Sequence, residues 1–225
     1  MAINTTTLQK YRKMLKFLGL VLITYFVLMP IGAKAQFFEG AITYEVRYQS
    51  RIPGMSDQVL TKMMGTVQTF HIKGNRYLTL MNGEMMVMQL YEPKENKLYF
   101  QTTESDTLLW MDGAKNGSPI LKTERDKKGA TILGYDCEKI IFSTKTGKET
   151  YWFTPALKAD AAGMSRHAYN NLSAFLKASG ALPLKMIVEQ TDLVLTMEAK
   201  AVQLQKLEDI FFALPPKMVA IPAPF

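Results

Sequence analysis

The chain has 225 residues and a formal charge of +7, with 48% hydrophobic and 21% charged side chains, a composition that excludes a disordered polypeptide and suits a packed core. Five basic residues and no acid fall within residues 1–35, leaving 22 basic against 20 acidic residues in 36–225, so bulk charge argues against a nucleic-acid partner. A single cysteine, Cys137, excludes an intramolecular disulfide framework and a four-thiolate zinc site.

In chain order, Lys10, Arg12, Lys13 and Lys16 precede an uncharged, mostly apolar run over 17–29. Pro30 and Gly32 break any helix there, and Ala33-Lys34-Ala35 places small residues at the −3 and −1 positions of a signal-peptidase site. This order predicts a cleavable signal peptide over residues 1–35, cut after Ala35. The run is shorter than the roughly 20 residues of a membrane anchor. The expectation is a periplasmic or secreted protein beginning at Gln36, with residues 36–225 as a single β-rich domain.

Period-2 alternation dominates that domain. Ile42, Tyr44, Val46 and Tyr48 alternate with Thr43, Glu45, Arg47 and Gln49. Residues 76–81 and 85–91 flank Asn82-Gly83, which reads as a hairpin with a type I′ turn, because both central residues of that turn need positive φ. Short strands follow at 97–101 and 107–111, then turns at Asp112-Gly113 and Asn116-Gly117. Residues 134–142 and 149–153 are joined by Lys145-Thr146-Gly147-Lys148. The last strands are 184–190 and 193–204. One amphipathic helix is predicted from Ser165, as N-cap, to about Ala178, with Ala168, Leu172, Phe175 and Leu176 on its apolar stripe and Gly180 as its stop. The pattern predicts a mainly β fold: a curved antiparallel sheet, open or half-barrel, with one or two helices against its concave face.

Motifs of known catalysis are absent from the sequence: it has no nucleophile elbow, metalloprotease helix, phosphate loop or dinucleotide fingerprint. His71, before the turn Lys73-Gly74-Asn75, reads as an ordinary strand-end residue. His167 reads as a solvated side chain of the first helical turn, and Cys137 as a small buried hydrophobe. Methionine is abundant, 15 in all, with Met63, Met64, Met81, Met85, Met86 and Met88 around the central hairpin. Core filling is the first reading, an adaptable apolar cavity the second and soft copper the third. No catalytic residue, metal site or cofactor is expected.

Several segments taken together resemble a known family. They are Phe38-Glu39-Gly40-Ala41-Ile42-Thr43-Tyr44, Ile72-Lys73-Gly74-Asn75-Arg76, Ile132-Leu133-Gly134-Tyr135-Asp136-Cys137-Glu138-Lys139 and Glu149-Thr150-Tyr151-Trp152-Phe153-Thr154. Leu182-Pro183-Leu184-Lys185-Met186 and the closing Phe212-Ala213-Leu214-Pro215 complete the set. The chain resembles exported envelope proteins of unknown function related to the GLPGLI family, placed with the LolA-like and LolB-like lipoprotein carrier fold. It departs from the GLPGLI family proper, since Gly180-Ala181-Leu182-Pro183-Leu184-Lys185 stands where the naming motif would be. The resemblance implies a half-barrel with helices against its concave side and an apolar ligand held between them. It supplies no catalytic residues.

The function expected is therefore that of a non-enzymatic periplasmic protein binding a lipid or a lipoprotein acyl chain. The alternatives are an envelope interaction module with a filled core and, third, a hydrolase-like enzyme. Partners on this reading are a lipid or acylated protein or another envelope protein, with membrane contact only transient and no nucleic acid. The central strands carry large apolar side chains on both faces, and a helix of about 14 residues is only about 21 Å long. Part of the concave face is therefore expected to be left for an apolar ligand, at Met86, Met88, Leu90 and Trp110. The opposite alternation set, with Met85, Val87 and Tyr91, is the alternative.

Overall fold

The alternation read in the sequence resolves into one large sheet. A computed structural model describes residues 36–103 and 105–224; the expected signal peptide lies outside them. The first strands are β1 (Gly40–Ser50), β2 (Val67–Lys73), β3 (Arg76–Met81), β4 (Met86–Glu92), β5 (Lys97–Thr102) and β6 (Thr107–Asp112). They are followed by β7 (Ile120–Ile132), β8 (Tyr135–Thr144), β9 (Gly147–Lys158), β10 (Ala181–Gln190), β11 (Leu193–Leu204) and β12 (Val219–Pro222). Helix α1 (Asp57–Met64) joins β1 to β2, and α2 (Leu172–Ser179) lies between β9 and β10.

The sheet order is β12-β6-β5-β4-β3-β2-β1-β11-β10-β9-β8-β7. Two antiparallel meanders, β1–β6 and β7–β11, thus meet where β1 pairs with β11. Only residues 113–119 connect β6 to β7, although these strands lie near opposite edges of the sheet. A link that short spans at most about 29 Å fully extended, so the sheet must curl until its two sides approach. It is curved and unclosed, a half-barrel, as the sequence pattern predicts.

Both faces of the first meander are covered. On the concave face, Ile42, Tyr44, Ile72, Tyr77, Tyr91 and Leu98 join Ile140, Phe142, Tyr151 and Phe153 of the second meander in one core. Helix α2 buries Phe175 and Leu176 completely; the Phe175 ring stacks on Tyr151 at 4.4 Å and meets Phe153 edge-on at 5.9 Å. On the outer face, Leu78, Met88, Leu90, Tyr99 and Leu108 form a second cluster with Leu207, Phe212 and Met218. These last three belong to a strap, residues 205–218, that leaves β11 and runs over the outside. The strap is pinned by the Leu207 N–H donating to Glu39 Oε1 at 2.7 Å and by Lys73 Nζ donating to the Leu207 carbonyl at 2.7 Å. It then adds β12 in parallel to β6. The outer face of β10, β11 and β1 is instead polar, with Lys185, Glu198, Lys200, Glu45 and Arg47 paired in a row.

Two local expectations change. Asn82-Gly83 is not a type I′ turn: neither residue has positive φ. The Asn82 side chain accepts from the N–H groups of Thr66 and Val67, both at 2.8 Å, and a Cβ on Gly83 would sit 2.4 Å from the Met63 carbonyl oxygen. The pair lets the link between β3 and β4 press against the end of α1. A two-residue turn with both φ values positive occurs instead at Leu133-Gly134, between β7 and β8. The helix starts at Leu172, not Ser165, because Asn170 and Asn171 take left-handed backbone angles just before it. Its stop at Gly180 is as expected, with φ +66° and an N–H donated to the Leu176 carbonyl. Cys137 is buried in β8, where desolvation raises its thiol pKa.

Candidate functional site

The concave face is roofed by residues 159–180, the insertion that carries α2. Its polar anchors lie where the sheet curls over. At one anchor His167 is fully buried, stacked on Tyr91 at 4.0 Å and 15°. The Tyr77 hydroxyl and His167 Nε2 share a 2.7 Å hydrogen bond. Nδ1 is buried without a hydrogen-bond partner. Burial holds the imidazole neutral, with its pKa lowered to about 4. Tyr91 in turn donates to Asn96 Oδ1 at 2.8 Å, and Asn96 donates to Asp112 Oδ1 at 3.1 Å.

The second anchor is Asn171. Its amide donates to Glu149 Oε1 at 2.8 Å and to the Ser118 carbonyl at 3.0 Å. Tyr151 donates to Glu149 Oε2 at 2.8 Å. Burial raises the Glu149 pKa, and the bonds from Tyr151 and Asn171 oppose that rise. A buried carboxylate of this kind persists only because its oxygens are hydrogen-bonded. Both anchors draw on residues 113–119, the link that bridges the two sides of the sheet.

Between the anchors, the roof and the sheet enclose a cavity of about 140 Å³, partly open to solvent. Its floor is the concave side of β1 to β4: Tyr44, Gln68, Phe70, Tyr77, Thr79 and Gln89. Its far wall is Tyr151 with Leu182, Pro183, Met186 and Met197 from β10 and β11. His167, Tyr169, Asn170 and Leu172 close it above. Gln89 and Tyr151 stand six strands apart in the sheet order yet line one space, a direct consequence of the curvature. The lining carries no lysine, arginine, aspartate or glutamate. This volume matches the engineered cavities of about 150 Å³ that accept a benzene-sized group.

The four residues expected at an apolar site do not come together there. Met88 and Leu90 are buried on the outer face beneath the strap, and Trp110 packs half-buried against the same cluster with Lys97 Nζ 4.4 Å over its ring. Met86 faces the other way, against the concave core. The cause is a register shift between Met86 and Met88 where β4 pairs with β5, since one extra residue reverses the facing of everything beyond it. Of β4 only Gln89 lines the cavity; in the alternative set, Val87 packs against the outer cluster and Tyr91 joins the concave core without lining the cavity.

Sequence reasoning missed His167 and the floor glutamines. Nothing marks His167 as buried except the two tyrosines that receive it, and these lie about 75 to 90 residues upstream. His71, by contrast, sits on the outer side, with its ring 4.8 Å from Phe211 of the strap. Among the described residues no group of three or more His, Cys, Asp or Glu side chains could hold a metal ion, and no helix is long and apolar enough to cross a membrane.

A half-barrel of antiparallel strands, roofed on its concave side over a small uncharged cavity, is the class of protein these features define. Residues 33–218 match the family described as a domain of unknown function, DUF4412, and the chain belongs to that family. Comparison with curated proteins yields no match.

Proposed function

We propose that this protein is an exported, non-enzymatic envelope protein that takes an apolar group, the acyl chain of a lipid or of an acylated protein, into the concave-face cavity. The observation that carries this reading is the cavity itself: about 140 Å³, open to solvent on one side, walled by Leu182, Met186 and Met197 and free of charge. Methionines suit such a wall because their flexible thioethers adapt to chains of different shape. The half-barrel supports the analogy with LolA-like and LolB-like carriers at the level of fold. Each CH₂ moved from water into the cavity would contribute about 0.8 kcal/mol, so a short stretch of chain suffices for weak, reversible binding. Longer chains would need the roof to lift.

One observation favours the interaction module as a second reading: the volume is below the roughly 300 Å³ at which small-molecule sites begin. Native mass spectrometry of protein isolated from its own envelope separates the two. A co-purified acyl compound, displaced by an uncharged fluorescent acyl probe, is the expected result. A bare mass, with no binding of the probe to wild type, would reject the carrier.

A further inference from the structure

The polar groups of the cavity divide into those already committed and those left open. The Tyr44 hydroxyl donates to the Pro183 carbonyl at 2.7 Å, that of Tyr77 is bound to His167 and that of Tyr151 to Glu149. Asn170 is engaged with Tyr169. Three floor residues remain. Among the described residues no side-chain hydrogen bond engages Gln68 or Thr79. Gln89 spends one N–H on the weak acceptor Met86 Sδ at 3.3 Å and keeps its oxygen and its second N–H.

Register places these three side by side. Thr79 lies directly across from Gln89 on β4 and from Phe70 on β2, and Gln68 is two residues along β2 from Phe70, hence on the same face. Gln68, Thr79 and Gln89 therefore form a diagonal polar row over three adjacent strands, set in a floor of Tyr44, Phe70 and Tyr77 rings. Two amides and a hydroxyl can both donate and accept. A bound purely hydrocarbon group would remove water from them and return nothing. An ionised group would lose its hydration in a space whose lining carries no opposite charge.

We propose that the natural ligand carries an uncharged hydrogen-bonding group, of the amide or ester class, which docks on the Gln68–Thr79–Gln89 row while its hydrocarbon part lies against Met186 and Met197. This deepens the apolar-carrier reading and rests on it. It distinguishes an acyl amide or acyl ester, as in an acylated protein or a neutral lipid, from a free fatty acid, which is ionised at neutral pH.

The test compares hexanamide with hexanoate on the wild-type protein at pH 7.5 by ligand-observed NMR, and repeats both on Thr79→Val and Gln89→Leu. Hexanamide should bind at least tenfold more tightly than hexanoate in the wild type. Each substitution should shrink that preference to threefold or less, with thermal melts showing that the variants remain folded. Equal affinities, tighter hexanoate, or a preference that survives both folded variants would overturn the polar row while leaving the apolar carrier standing. If neither compound binds and the fluorescent acyl probe also fails, both readings fall together. If either variant unfolds, the wild-type comparison alone decides.

Discussion

His167 couples the roof to acidity. Its folded pKa, about 4, lies below the ordinary value of 6.5, so between these values the unfolded chain binds a proton that the folded one refuses. Stability must fall as pH drops through that window. Between pH 7.5 and 5 this residue should remove about 2 kcal/mol. Glu149 works in the opposite direction, since its raised folded pKa makes the native state the better proton binder in mild acid. His71, whose pKa burial also lowers, adds to the slope of His167, so the share of His167 has to be read by difference. Urea melts of the wild type and of His167→Gln at pH 7.5 and 5 should show the histidine's share as the difference between their slopes. Identical slopes would mean that the imidazole is protonated or solvated in the fold. Gly83 gives a second residue-scale test, because a methyl group there meets backbone, not a flexible side chain. Gly83→Ala should cost about 1–3 kcal/mol, read as a lowered melting temperature. An unchanged melt would remove the close approach of the β3–β4 link to α1.

At the scale of elements, strand positions were legible because β1 and β11 alternate apolar and polar side chains, while β3 to β5 are apolar runs, buried on both faces, between turn residues. Residues 76–81 and 193–204 match β3 and β11 as read. The helix start was not legible: Ala168 falls at helical spacing with Leu172, but its neighbour His167 is drawn down to Tyr77 and Tyr91, and the backbone turns left-handed at Asn170. β7 was also missed. It is an edge strand, solvated along most of its length, and Lys122, Glu124, Arg125, Asp126, Lys127 and Lys128 give it no apolar period to read; such charge guards an open edge against pairing with other chains. The strap was invisible for a different reason. Leu207, Phe212 and Met218 follow no regular spacing, and what they cover is set by where the chain crosses the sheet. Phe212 is 4% exposed in that contact. Phe212→Ala should destabilise by about 3 kcal/mol in urea denaturation while leaving binding in the concave cavity unchanged, since the two lie on opposite faces. Loss of binding in a folded variant would show that the faces are coupled.

For the whole molecule, the sequence order basic lead, apolar run, small residues carries the expectation of export. N-terminal sequencing of protein recovered outside the cytoplasm should begin at Gln36; material that retains residues 17–29 in a membrane fraction would contradict it. Of the polar row, Thr79 and Gln89 fall on strands read in the sequence and Gln68 does not, and the meeting of the three depends on the β2–β3–β4 register and on the bulge at Val87. The pairing of β1 with β11 joins residues 40–50 to residues 193–204, the two meanders' single seam. Each meander can assemble from neighbours in sequence, but the seam needs partners about 150 residues apart, the kind of contact that makes folding slow. A ribosome that has released β1 must add nine-tenths of the remaining chain before that strand finds its mate on this side. Until then the half-built protein presents two bare strand edges at its centre, so the time spent waiting for β11, more than the finished fold, is when this chain is most exposed to aggregation.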